Sequence, residues 1–200
     1  MDFYISILQM RLQKVRYIAF LRGINISGKN KIPMPDLKNE FEKMNFSDVK
    51  TYLNSGNVLF SSPKDNDIEI KKQIEIMIDN RFGLVIPVHI IRYDYLQEIL
   101  MNAPRWWGTE EKEQYHNLIF IMSSDTAEDI CNMLGEPSKD LEKIHIYKNA
   151  IYWTFDRKAY QKCNWWKKTA SAGIGEKLTI RTANTVKKLG STGKEMLGDR

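Results

Sequence analysis

Cysteine is nearly absent from this sequence: Cys131 and Cys163 are the only two among 200 residues. Two thiols cannot build the disulfide framework of a small secreted domain, and they point to a reducing, cytoplasmic compartment. Long apolar runs are missing too. No stretch approaches the roughly 18 uninterrupted apolar residues that a membrane-spanning helix needs, so no membrane partner is expected. Six prolines and eleven glycines are too few for a collagen repeat or a low-complexity chain. The three histidines, His89, His116 and His145, lack ligand spacing to either cysteine, and no metal is expected. There is no Gly-x-Ser-x-Gly elbow, and no paired carboxylates or nucleophile–base pair stand out. Catalytic residues therefore remain unassigned, no cofactor is expected, and the sequence names no reaction.

What is present is a normal globular balance, with 42% apolar, 11% aromatic and 28% charged residues. That composition excludes a disordered chain and allows one large domain or two small ones. The formal charge of +5 is unevenly spread. Residues 157–200 carry eleven Lys or Arg against three Asp or Glu, whereas residues 1–156 carry nineteen against twenty-two. Such a basic end favours anionic partners, although a solvated helical face would look the same. At the other end, residues 1–14 read as an arm. Its acidic Asp2 and lack of a basic flank argue against a signal peptide, and Met10 is a second candidate start.

The elements repeat. Residues 16–21 are β-rich, and Pro35 suits the first turn of a helix with Leu37, Phe41 and Met44 on one face, stopped by Asn45. Residues 49–53 and 58–60 flank Asn54-Ser55-Gly56-Asn57 as a hairpin. A second helix, capped by Asp65 or Asp67, carries Ile70, Ile74, Met77, Ile78 and Phe82. Residues 85–91 form the last strand, which Pro87 confines to a sheet edge. This β-α-β-β-α-β order then recurs. A strand at 117–122 leads to a helix begun by Asp125 and Glu128 and stopped by Gly135 and Pro137. Strands at 143–147 and 151–155, a lysine-rich helix near 157–170, a strand at 176–181 and a short terminal helix near 183–189 follow. The predicted class is α+β: two tandem ferredoxin-like halves at 15–92 and 93–200, arisen by duplication. Residues 93–115 supply the connection and one helix.

Two clusters carry the candidate chemistry. Gly23 to Asn30 falls one residue short of a phosphate-binding loop, because Asn30 stands where the magnesium-binding hydroxyl would be. Pro33 and Pro35 also keep the chain extended where the helix of such a loop must begin. What survives is a glycine-containing loop with free backbone amides, ringed by Arg22, Lys29 and Lys31. In the predicted topology the hairpin turn lies at the same sheet end. The candidate ligand-binding residues are therefore Arg22, Gly23, Asn25, Lys29, Asn54, Ser55 and Asn57, with the plain alternative that they are only turn residues. The second cluster is the basic end, where Lys162, Lys167, Lys168, Lys177, Arg181, Lys187 and Lys188 are candidate phosphate contacts. Trp165 or Trp166 could stack a base there, or simply pack in a core as Trp106 and Trp107 could.

The run Tyr17-Ile18-Ala19-Phe20-Leu21-Arg22-Gly23-Ile24-Asn25, followed by Gly28-Lys29-Asn30-Lys31, resembles the opening of the bacterial family known as domain of unknown function 1697. Thr51 to Val58 is similar to that family's second motif, and Thr179 to Leu189 to its C-terminal one. The resemblance implies a soluble bacterial protein with two related α+β halves, and it implies no activity. The sequence departs from that pattern in its N-terminal arm and at Ala183, where a bulkier residue is common. The leading expectation is a protein that binds an anionic small molecule or nucleic acid without catalysis. An enzyme acting on a phosphorylated or nucleotide-like molecule, or a protein-interaction module, are the alternatives. The oligomeric state is left open.

Overall fold

Strand β1 (Val15–Leu21) lies at the centre of the first sheet, and its seven residues explain why. Its last five residues are fully buried, so β1 reads as a continuous apolar run rather than an alternating one. It pairs antiparallel with β3 (Asn57–Ser62) on one side and β4 (Val88–Arg92) on the other, and β3 pairs with β2 (Ser47–Tyr52). The resulting order is β2-β3-β1-β4. Pro87 stands immediately before the edge strand β4, where its missing N–H costs no ladder bond.

The computed structural model describes residues 14–198, so the expected N-terminal arm, Lys14 apart, lies outside the described residues. The chain divides into two compact units, one reaching to Leu96 and resuming at Glu195, the other Gln97–Lys194. In the first, Tyr17, Ala19 and Leu21 pack with Leu37 and Phe41 of α1 (Met34–Lys43) and with Ile70, Ile74 and Ile78 of α2 (Asp67–Phe82). Helix α1 follows Pro33 and ends beside Asn45, which takes the left-handed φ of 63° expected of it. Helix α2 is capped by Asn66, whose side chain accepts from the Glu69 N–H at 3.1 Å, not by Asp65 or Asp67. Asp65 is occupied elsewhere: it accepts from Tyr17 Oη at 2.8 Å and Arg92 Nη1 at 2.7 Å.

The second unit follows the same element order after α3 (Tyr93–Met101). Strands β5 (Gln114–Ile121), β6 (Glu142–Tyr147), β7 (Ala150–Asp156) and β8 (Leu178–Thr182) form an antiparallel sheet in the order β6-β7-β5-β8. Helix α4 (Ala127–Leu134) starts with a reciprocal capping box between Thr126 and Asp129, one residue after the expected Asp125–Glu128 pair. Asp125 instead accepts from Lys177 Nζ at 2.8 Å. The lysine-rich helix expected near 157–170 is a 3-10 turn at Tyr160–Lys162 and a short α5 (Asn164–Thr169). Helix α6 (Ala183–Gly198) runs well past the predicted 183–189. The core of this unit gathers Ile119, Ile130, Leu134, Trp153, Phe155 and Trp165.

Among the described residues no helix is long and apolar enough to cross a membrane.

Candidate functional site

The loop after β1 is held in shape by its own side chains. Asn25 adopts φ 53°, a left-handed conformation that asparagine tolerates. From there its Nδ2 donates to Ile32 O at 3.0 Å and to Asn54 O at 2.9 Å, while its Oδ1 accepts from Ile32 N–H at 2.9 Å. One amide thus closes the loop on itself and fastens it to the β2–β3 turn. Asn30 Nδ2 donates to Gly23 O at 2.9 Å. At the tip, Ser27 and Gly28 both have positive φ, 49° and 78°, between the bridged pair Ile26 and Lys29. That is the primed-turn geometry of a two-residue hairpin.

Gly56 is the opposing contact. Its φ is 78°, and a Cβ there would stand 2.7 Å from Leu21 Cβ and 2.8 Å from Ile24 Cδ1. Glycine therefore serves both the turn and the close seating of the hairpin against the first loop. A cleft of about 370 Å³ lies over this junction, lined by Asn25, Gly28, Lys31, Ile32, Met34 and Asn54 among others. Between Arg22 and Pro35 the sequence carries three cations and no carboxylate. Among the described residues, no ion pair engages Arg22, Lys29 or Lys31.

The structure brings together Asn25 and Asn54 as the topology required, but their amides and carbonyls hold the loops. Asn57, expected among the ligand groups, is completely buried and donates to Tyr52 O at 2.8 Å and Ser55 Oγ at 3.1 Å. It braces the turn from inside and does not face solvent. Lys29 is exposed, and Arg22 and Gly23 are half-buried.

The C-terminal cations do not form one open face. Arg181, expected on a phosphate, is half-buried on β8, and loss of water around its guanidinium pushes its pKa down to about 10. Lys168 Nζ donates to Leu134 O, and Lys187 Nζ to Gly108 O. Lys167 and Lys188 are exposed. Trp165, one of two candidate stacking residues, is fully buried and donates from Nε1 to Gly135 O at 2.7 Å. Trp166 is 41% exposed, with its ring packed against Phe155 and Tyr160. Trp107 is likewise a core residue.

A second cleft, absent from the sequence expectations, opens in the second unit where β5 begins, β7 ends and α6 starts. It measures about 610 Å³, and its lining includes Tyr115, His116, Arg157, Asn184 and Lys187. His116 is buried, with Nδ1 2.8 Å from Thr154 Oγ1 and Nε2 3.2 Å from Thr109 Oγ1, and burial pushes its pKa below the ordinary histidine value. Both thiols are inert by environment: burial raises Cys131 and Cys163 to about 11. The lining of this cleft draws on residues 108–116, 157 and 182–187. Of this lining the sequence marks only Lys187, as a candidate phosphate contact, and the turn from β8 into α6, in the third motif.

The molecule is thus an α+β protein with two four-stranded antiparallel sheets and a cleft at one end of each. The family model described as "Protein of unknown function (DUF1697)" matches residues 15–152, and the chain belongs to that family. Its fold is similar to that of the conserved bacterial protein SP0830 from Streptococcus pneumoniae, with a TM-score of 0.77 and 24% identity over 90% of this chain and 98% of that one. No curated protein matches the chain in sequence.

Proposed function

We propose that the protein binds a small anionic ligand at the loop end of its first unit. The observation that carries this reading is the bond from Asn25 Nδ2 to Asn54 O, which fixes two loops into one preformed cleft. A preformed site spares the ligand the cost of ordering the loops. Lys29, Lys31 and Arg22 supply charge without competing carboxylates, and the turn at Ser27-Gly28 supplies backbone donors. Asn54 lines the turn side with the exposed Ser55 next to it, while Asn25, Gly23 and Asn57 act as braces. In the same reading the two units are copies of one ferredoxin-like domain, residues 15–92 and 93–200, since each orders its strands alike. Free cysteines suit a cytoplasmic setting.

Titration with inorganic pyrophosphate, followed by backbone amide NMR, tests the site. Shifts confined to residues 22–33 and 53–57, abolished by Lys29→Glu with Lys31→Glu, are expected. Unmoved amides in both segments would refute the reading.

A further inference from the structure

We infer that the second unit holds a separate site for a small phosphorylated ligand bearing a planar ring, of the nucleoside monophosphate class, in the cleft at the start of α6. Its volume, about 610 Å³, falls in the range of small-molecule sites.

Three features set the ligand's chemistry. The first is an aromatic shelf. Tyr115 is 39% exposed, and the Arg157 guanidinium lies over its ring at 5.0 Å from the centroid. Stacked over the phenol ring, the guanidinium offers its outer face to a planar ring and keeps donors at its edge for a phosphate oxygen. The second is a fixed ammonium. Lys187 Nζ donates to Gly108 O and lies 5.9 Å from the Trp107 ring centroid, which holds it at the cleft wall. An ammonium carries three donors, so the Gly108 bond leaves two for a ligand. Gly108 has φ 71°, which favours glycine, and a Cβ there would stand 2.7 Å from that Nζ, so a side chain at this position would displace the ammonium.

The third is the balance of charge. Lys112, Arg157 and Lys187 line the cleft together with Glu110 and Glu111. One surplus positive charge matches a single phosphate, and the carboxylates disfavour a polyphosphate or a nucleic-acid backbone while accepting from ligand hydroxyls. The first turn of α6 adds backbone donors at the same place. Thr182 Oγ1 accepts from the Thr185 N–H at 3.3 Å, which leaves the amides of Ala183 and Asn184 without an intrahelical acceptor. His116, in the lining, is held between two threonine hydroxyls, and burial disfavours its charged form.

Calorimetric titration of the full chain with AMP, adenosine and inorganic phosphate tests the assignment. AMP should bind more tightly than either fragment. Arg157→Ala should weaken AMP at least tenfold, and Tyr115→Leu severalfold, with the melting temperature retained because both side chains are exposed. Made in a chain that already carries Lys29→Glu with Lys31→Glu, Arg157→Ala should still weaken AMP at least tenfold, which separates this site from the one in the first unit. The proposal is overturned if AMP fails to bind, if phosphate alone binds as well as AMP, or if the two cleft variants bind AMP like the parent chain.

Discussion

His116 shows how much one residue's surroundings decide. Its imidazole is buried between Thr109 and Thr154, and burial outweighs the nearby Glu111 carboxylate, so the neutral form is favoured in the folded state. An unfolded chain has a histidine of ordinary pKa, about 6.5. Between the depressed folded value and that unfolded value, the unfolded state binds more protons, and stability falls as pH drops. Denaturant unfolding from pH 7.5 to 5 should therefore show a declining free energy of unfolding. His116→Asn should flatten that slope even if it lowers stability throughout. An unchanged slope in the variant would mean that His116 is not the group responsible. The depressed carboxylates Asp65, Asp125 and Asp129 act in a lower window, since their contributions are lost only on further acidification.

At the scale of elements, Glu142 organises the part of the second unit that sequence reading described least well. It sits on β6 with 6% of its surface exposed, yet it is satisfied. Its carboxylate accepts from Ser138 N–H at 2.8 Å, Asn164 N–H at 2.9 Å, Trp165 N–H at 3.2 Å and Trp153 Nε1 at 3.2 Å. One acid thus joins β6 to the start of α5 and to a core indole. Glu142→Ala would leave several buried donors unmatched, at about 3 kcal/mol or more. Thermal and denaturant unfolding should show a loss of that size, whereas Glu142→Gln, which keeps one acceptor, should lose less. Equal, small losses would contradict a central role. Nothing local in the sequence announces this carboxylate, because its partners lie four to twenty-three residues away. The strands and the β2–β3 turn were legible because their signals are local: β-rich runs, Asn54 to Asn57 and Pro87. The caps at Asn66 and Thr126 were each missed by one residue, since adjacent Asp, Asn and Thr side chains offer nearly equivalent caps and packing chooses between them. The first loop cluster was legible through topology, because antiparallel pairing of β1 and β3 fixes which loops share an end. The second cleft was not, since it collects residues from 108 to 187 whose meeting depends on how β5, β7 and β8 align.

On the scale of the whole chain, the question is what the basic end does. Seven cations from Lys162 to Lys188 were candidates for phosphate contact. Lys177 is in an ion pair with Asp125, Lys168 and Lys187 donate to backbone carbonyls, and Arg181 is half-buried. Among the described residues this leaves Lys162, Lys167 and Lys188 exposed and with their ammonium groups unengaged. Counterion release then sets an upper limit. Each phosphate neutralised on a single strand contributes a slope of roughly −0.7 to the logarithm of affinity against the logarithm of salt concentration. Three contacts give a slope near −2 by that arithmetic, and seven would give about −5. A single-stranded oligonucleotide titrated at several salt concentrations should therefore show weak binding with a slope no steeper than about −2. Lys167→Glu with Lys188→Glu should remove most of it. A slope near −5 would require all seven cations on phosphate, the ion-paired Lys177 and the half-buried Arg181 included, and would restore nucleic acid as the principal partner. The same measurement bears on the small-ligand reading, because neither Lys167 nor Lys188 lines either cleft. The double substitution should therefore leave pyrophosphate and AMP binding as they are in the parent chain.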